Sequence, residues 1–303
     1  MNPRAQVRLL KDGKRIHLND GPIDLIVEAF GEPNEVNTAF RAAVERFRNV
    51  LDELCCELTL LRQATRVDGP LPSGVVARRM VAAVTPYCER TFITPMAAVA
   101  GAVAEEILTT MTAAARLSRA YVNNGGDIAL HLAPGEHFVV GMVDRPDRPS
   151  LFGTATVDSA QSVRGIATSG CRGRSFSLGI ADAVTVLADR AAVADAAATI
   201  IANAVDLPGH PSIVRVPARG LSPDSDLGDR LVTQAVGEIS DFEIATALNA
   251  GHALARFLIA KGLIHAAALH LRGEAKIVGL ERFSAVIKPE NLELGWSSAS
   301  VLH

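Results

Sequence analysis

Aromatic residues are scarce in this chain. One Trp, two Tyr and ten Phe make up 4% of 303 residues, which leaves few ring faces for stacking bases or sugars. Excess charge of either sign is also lacking. Thirty Lys and Arg stand against 33 Asp and Glu, a formal net charge of −3, so no field draws the protein to nucleic acid or an anionic membrane. The four cysteines, Cys55, Cys56, Cys88 and Cys171, form no CxxC pair and lack a His-rich partner spacing. That argues against a zinc site or a disulfide framework. The first residues, MNPRAQVRLLKDGKR, hold no apolar run of signal-peptide length. Pro95 to Val103, the most apolar stretch, falls short of the ~20 residues that span a bilayer. From these absences the expected location is the cytoplasm.

What is present is alanine and valine. Apolar residues reach 49% and charged residues 21%, as in an ordinary globular protein, with small side chains that let elements pack closely. The length suits one large or two medium domains at roughly 150 residues each.

Periodicity alternates along the chain without a repeat. Residues 7–10 and 23–29 read as strands. Phe40, Val44, Phe47, Val50, Leu51, Leu54, Leu58 and Leu61 recur at helical spacing and predict a long amphipathic helix over 37–62. PLPSG at 70–74 breaks the pattern before a short helix at 75–84. Thr94 and Pro95 suit the N-cap and first turn of a third helix, expected to run to about Arg119. Strands are predicted at 127–132, 136–143, 152–157, 163–168 and 182–188, with VDRPDRPS (143–150) as a surface loop. Then come a helix at 191–205, a proline-rich passage at 207–223, helices at 228–237 and 240–261, and strands at 264–272 and 275–280. Helices mixed with hairpin-spaced strands predict an α+β fold, with mixed or antiparallel sheets packed on Ala-rich helices. The expectation is a single domain over 1–283, with a lobe boundary near 207–223, followed by a tail at 284–303.

Three segments carry candidate chemistry. In AYVNNGGD (120–127) a short β-rich run ends in Asn123, Asn124, Gly125, Gly126 and Asp127. Consecutive glycines there either make a hairpin turn, with asparagines in left-handed conformations, or leave bare backbone against a polar ligand. In GIATSGCRGRS (165–175), Thr168, Ser169 and Gly170 precede Arg172 and Arg174. Hydroxyls, N–H groups and guanidinium groups could hold a phosphate, or the segment is a polar turn with solvated arginines. Cys171 invites a nucleophile reading, but only the nearby arginines could lower its pKa. In ADAAATIIANAV (194–205), Asp195, Thr199 and Asn203 line one helix face. A carboxylate one turn from a hydroxyl suits a hard cation such as Mg²⁺; the alternative is a solvent-facing stripe. His131, His210, His252, His265 and His270 could each supply a base, although His131 and His270 sit in alternating strands where imidazoles are usually structural.

Together these segments resemble the ApbE-like superfamily, which includes the FAD-dependent protein flavin transferases. Asn123 to Asp127 match its N-x-G-G-D loop, and Thr168, Ser169 and Gly170 its T-S-G turn. Ala194, Asp195 and Thr199 match its A-D-x-x-x-T helix, and Ala97 to Ala102 its small-residue helix entry. The order is the family's own over roughly 95–205. TPMAAVAGAVAE (94–105) and ATSGCRGRSFSLGIADA (167–183) resemble the compact, cytoplasmic, uncharacterised branch of that superfamily.

The resemblance implies an ApbE-like fold and a flavin nucleotide, FAD or FMN, bound with Mg²⁺. It assigns the cation to Asp195, Thr199 and the carbonyl of Ala100, and the nucleotide to Asn123, Asn124, Gly125, Gly126, Asp127, Thr168, Ser169, Gly170 and Arg172. Departures from the transferases bear on activity. Gly101 replaces a lysine, Cys171 replaces an acid, and SFSLGIADA keeps only Gly179, Ile180, Ala181 and Asp182 of an H-x-I-D-P-x-T-G segment. No catalytic residue is assigned. If the protein is an enzyme, the expected class is a Mg²⁺-dependent transferase or hydrolase acting on a flavin or another phosphorylated substrate. The alternative is a non-catalytic nucleotide-binding or accessory protein in sulfur or amino-acid metabolism. The expected partner is a small phosphorylated molecule, with no nucleic acid and no membrane; a homodimer is compatible with the chain.

Overall fold

The computed structural model describes residues 4–143, 151–173, 175–280, 283–287 and 301–302. Most of the expected 143–150 loop, Arg174 and most of the 284–303 tail lie outside the described residues. The fold is α+β, with strands paired almost throughout in the antiparallel sense. The chain divides into two compact units, crossing between them after residues 136, 161, 167, 187 and 196. The proline-rich passage at 207–223 lies within the second unit.

In the first unit, β1 (Gln6–Leu9), β2 (Arg15–Asp20), β3 (Ile23–Phe30), β4 (Arg119–Asn124) and β5 (Asp127–Leu132) form an antiparallel run. No strand is expected from the sequence at β2; its alternating burial shows a half-buried strand broken up in sequence by charged residues. Four helices follow β3: α1 (Pro33–Cys56), α2 (Leu58–Leu61), α3 (Val75–Val84) and α4 (Val99–Ala114). α1 starts four residues before the expected point because Pro33 suits the first helical turn. α3 has the predicted bounds.

α4 is the centre of this unit. Gly101, Ala102, Val103, Ala104, Ile107, Leu108 and Met111 are buried, and the helix packs on α1, α3, β4 and β5. With the 3₁₀ turn at Pro95–Ala98 it gives a 20-residue apolar segment, long enough by composition to cross a membrane, but its burial among these elements is that of a core helix. Thr94 is the N-cap and Pro95 stands in the first turn, as expected, although Thr94 makes no side-chain cap hydrogen bond. The helix ends at Ala114, short of the expected Arg119, because Arg119 already pairs with Phe30 in the sheet.

In the second unit, β6 (His137–Val143), β7 (Leu151–Asp158), β14 (Ser284–Ile287) and β15 (Val301–Leu302) form a four-stranded sheet in the order β14-β7-β6-β15, with β15 parallel to β6. β12 (Ala266–Leu271) pairs with β9 (Ala183–Ala188) on one side and β13 (Glu274–Val278) on the other. α7 (Asp241–Ala260) packs on β12 and β13. The helix expected at 228–237 is instead β11 (Leu231–Val236), paired with β10 (Ile213–Pro217) inside the proline-rich passage, which also holds the short α6 (Ala218–Leu221). Val232, Thr233 and Val236 favour the strand once a partner is available. β8 (Gly165–Ser169) and α5 (Ala191–Ala204), like β9, run from one unit into the other.

Ser240 caps α7 with a full capping box, its hydroxyl and N–H exchanging hydrogen bonds with Glu243. Glu243 also meets His210 Nε2 at 2.8 Å. The Ser240 N–H and hydroxyl, then His210, hold the Glu243 carboxyl down from 4.5 to about 2. A depressed carboxyl contributes stability that is present above 4.5 and lost as pH falls toward 2. Thermal melts across that window should show a shallower acid limb for Glu243→Gln than for wild type; parallel limbs would contradict this role.

Candidate functional site

In the first unit the site is built where two helices begin. The leading N–H groups of an α-helix have no partner within it. At the start of α4, the Gly101 N–H donates to Asp195 Oδ2 at 3.0 Å, and the Ala100 N–H donates to the same carboxyl. Asp195 belongs to α5. In return, Glu105 of α4 accepts from the Ala192 N–H in the first turn of α5 at 2.9 Å. Each helix therefore supplies the carboxylate that caps the other. Gly101 makes the approach possible, since a Cβ there would lie 2.3 Å from the Ala191 carbonyl oxygen. The transferases' lysine at this position has no room in this chain.

The Asn-Asn-Gly-Gly-Asp segment adjoins this corner. Asn124 pairs with Asp127 across a two-residue turn, and both glycines take positive φ, 66° at Gly125 and 111° at Gly126. The turn itself therefore demands glycine. The asparagines do not share this conformation, since Arg272 is the sole non-glycine residue with positive φ among the described residues. Asn123 instead accepts from the Gly126 N–H at 2.8 Å. Buried Asn124 donates from Nδ2 to the Ala100 carbonyl at 3.2 Å. A Cβ on Gly126 would meet nothing within 4 Å, so one side of the turn is open.

The electrostatics single out Asp195. Burial pushes its carboxyl well above the usual range, the Asp127 charge pushes it further, and the N–H groups of Gly101 and Ala100 oppose both only in part. Ala100, Asn124, Asp127 and Asp195 thus converge through hydrogen bonds and charge. Thr199 stands one turn further along α5, on the part of that helix assigned to the second unit. Among the described residues, no three His, Cys, Asp or Glu side chains cluster as a metal site, so any cation here relies on carbonyl and hydroxyl oxygens as well. Asn203, expected on the same stripe, is occupied: its Oδ1 accepts from the Leu178 N–H at 2.9 Å and the Ser177 hydroxyl at 3.3 Å.

The Thr-Ser-Gly segment is organised within the second unit by Asp182, which sequence reasoning had left without a role. Asp182 accepts from Arg172 Nε at 3.1 Å and the Arg272 N–H at 2.6 Å, so Arg172 is ion-paired rather than solvated. Thr168 shares a hydroxyl hydrogen bond with Thr185 at 2.9 Å. Gly170 is required because a Cβ would approach the Asp182 carbonyl oxygen to 2.5 Å. Cys171 donates to the Ile180 carbonyl, and burial, then the Asp182 charge, pushes its thiol up to about 11. Such a thiol is a structural group. His131 meets the Leu117 carbonyl at 3.2 Å.

Sequence reasoning also missed Glu105 and its neighbours Glu106, Arg46, Arg79 and Arg190, which form one ion-pair network. The single detectable signal was two adjacent carboxylates in an apolar helix.

A family model described as AbpE bacteria matches residues 7–277. A UPF0280 protein of Methanopyrus kandleri is 43% identical over 129 residues, 42% of this chain and 48% of that protein. UPF0280 proteins of Methanococcoides burtonii and Methanothermobacter thermautotrophicus are 38% and 37% identical, over 46% and 52% of this chain and 55% and 57% of their own lengths. The chain spans about half the length of these curated relatives.

With a pKa near 11 against 9.0 for an unperturbed thiol, Cys171 holds about a hundredfold less thiolate at pH 8. Native-state alkylation followed by peptide mass mapping should label the exposed Cys55 and Cys56 at least a hundredfold faster than Cys171. Equal labelling rates would restore Cys171 as a candidate nucleophile.

Proposed function

This chain belongs to the AbpE bacteria family, and from that premise we propose that it binds a flavin or related phosphorylated nucleotide together with a divalent cation. The observation that carries the reading is Asp195, a carboxyl set in protein beside a second carboxylate and raised by both. A buried charge of one sign is costly without a counter-charge. A hard divalent cation supplies it and prefers oxygen ligands. Asp195, the Thr199 hydroxyl and the Ala100 carbonyl would hold the ion, with Asp127 adding charge. When bound, the ion would draw in phosphate oxygens. Asn123 and the open side of the Gly125–Gly126 turn would then face the nucleotide, with Asn124 holding the Ala100 carbonyl in place.

Binding without protein flavinylation fits the residues better than group transfer. The Cys171 thiol is held protonated, Arg172 is committed to Asp182, and the site of the transferases' lysine is closed by the Ala191 backbone. The small-ligand reading leaves nucleic acid and membrane without a role, in keeping with the charge balance.

Asp195→Asn removes the full charge while keeping an oxygen for the Gly101 N–H. Titration calorimetry with MgCl₂ in the presence of FAD should show Mg²⁺ affinity lowered at least tenfold, about 1.4 kcal/mol. Equal affinity in the two proteins would sink the cation site.

Incubation with FAD, Mg²⁺ and a threonine acceptor peptide of the transferase type should leave the peptide mass unchanged. A gain of one FMN on the peptide would show transfer and overturn the binding-only reading.

A further inference from the structure

The outer face of α7 is unusual for a surface helix. Its inner face buries Ile244, Ala247, Leu248, Gly251, Ala255 and Leu258. On the opposite face, at helical spacing, stand Phe242, Thr246, Asn249, Ala253, Phe257 and Ala260, all exposed. Phe242 is 81% exposed, the most of any large apolar side chain among the described residues, and Phe257 is 37% exposed. A helix that exposes large apolar side chains toward both ends of its solvent face normally packs against something.

The pattern on this face is complementary to itself. An acidic group, Asp241, lies at the N-terminal end, and a basic group, Arg256, near the C-terminal end; both are exposed. Laid antiparallel on a second copy about a two-fold axis near residues 249–250, Phe242 falls opposite Phe257. Asp241 then falls close to Arg256. Thr246 meets Ala253 in the middle, where small side chains let the helices approach closely. A parallel arrangement would set acid against acid and base against base. We propose that the α7 face is an isologous dimer interface whose occupant is α7 of a second copy of this chain.

The 20 residues of α7 make a rod about 30 Å long. One helix pair of that length lies at the small end of specific interfaces, so the dimer should be a reversible, micromolar one. Lys276 of β13 donates to Asn249 at the middle of the face. His252, on the flank of the face, is held low by burial, then by Lys276 and Arg256. The proposal is independent of the cation site.

Sedimentation equilibrium of the full chain, from 1 to 100 µM, tests it. Wild type should approach twice the 31.9 kDa chain mass, and Phe242→Glu should remain monomeric with unchanged helix content by circular dichroism. Arg256→Glu sets acid against Asp241 and should raise the dimer dissociation constant at least tenfold. Adding Asp241→Arg in the same chain reverses both ends of the pair and should restore most of that loss. A wild type that stays monomeric throughout would overturn the proposal. So would a dimer that survives Phe242→Glu, or a double reversal no better than Arg256→Glu alone.

Discussion

The first unit depends on one exchange: α4 and α5 each lend a carboxylate to the other's first turn. Asp195 accepts from the Ala100 and Gly101 N–H groups, and Glu105 accepts from that of Ala192. Orphan N–H groups at a buried helix start cost about 1–3 kcal/mol each when left unmade, and the positive end of each helix dipole favours an anion. Neither helix carries an acidic residue in its own first turn. The caps must therefore come from elsewhere in the chain, and their exchange sets the two helices against each other. The alanine-rich composition and Gly101 follow from this, because only small residues let two helix starts approach so closely.

Asp195 is consequently both a structural cap and the most perturbed carboxyl of the site. The N–H groups that bind it compensate its burial only in part, since Asp127 adds like charge. That a group serving the fold is still electrostatically unsatisfied is the basis of the proposed cation site. Asn124 belongs to the same design: by holding the Ala100 carbonyl, it ties the glycine turn to the start of α4.

The second unit has a comparable centre in Asp182. Its carboxyl gathers the Arg172 guanidinium and the Arg272 backbone, while Gly170 and Cys171 pack on neighbouring carbonyls. The segment that looked richest in free hydrogen-bond donors is largely spent on its own architecture. Arg172 shows the difference between a residue type suited to phosphate and one free to meet it.

The sequence by itself determined the α+β class, the bounds of α3 and β5, and the one-turn spacing of Asp195 and Thr199. Those features rest on local periodicity, which any stretch of chain carries within itself. It also showed the glycine pair and offered a hairpin turn as one of two readings, and the positive φ of both glycines bears out the turn. Tertiary structure alone decided the rest. β2 and β11 became strands because partners lay beside them, against weak or helical local signals. Gly101 closed the lysine position because the Ala191 carbonyl occupies that space. Cys171 lost its nucleophilic character through burial, Asn203 went to the Leu178 backbone, and Glu105 became a cap 87 residues away from its donor. Each outcome turns on what stands opposite a residue in space, which neither spacing nor composition encodes.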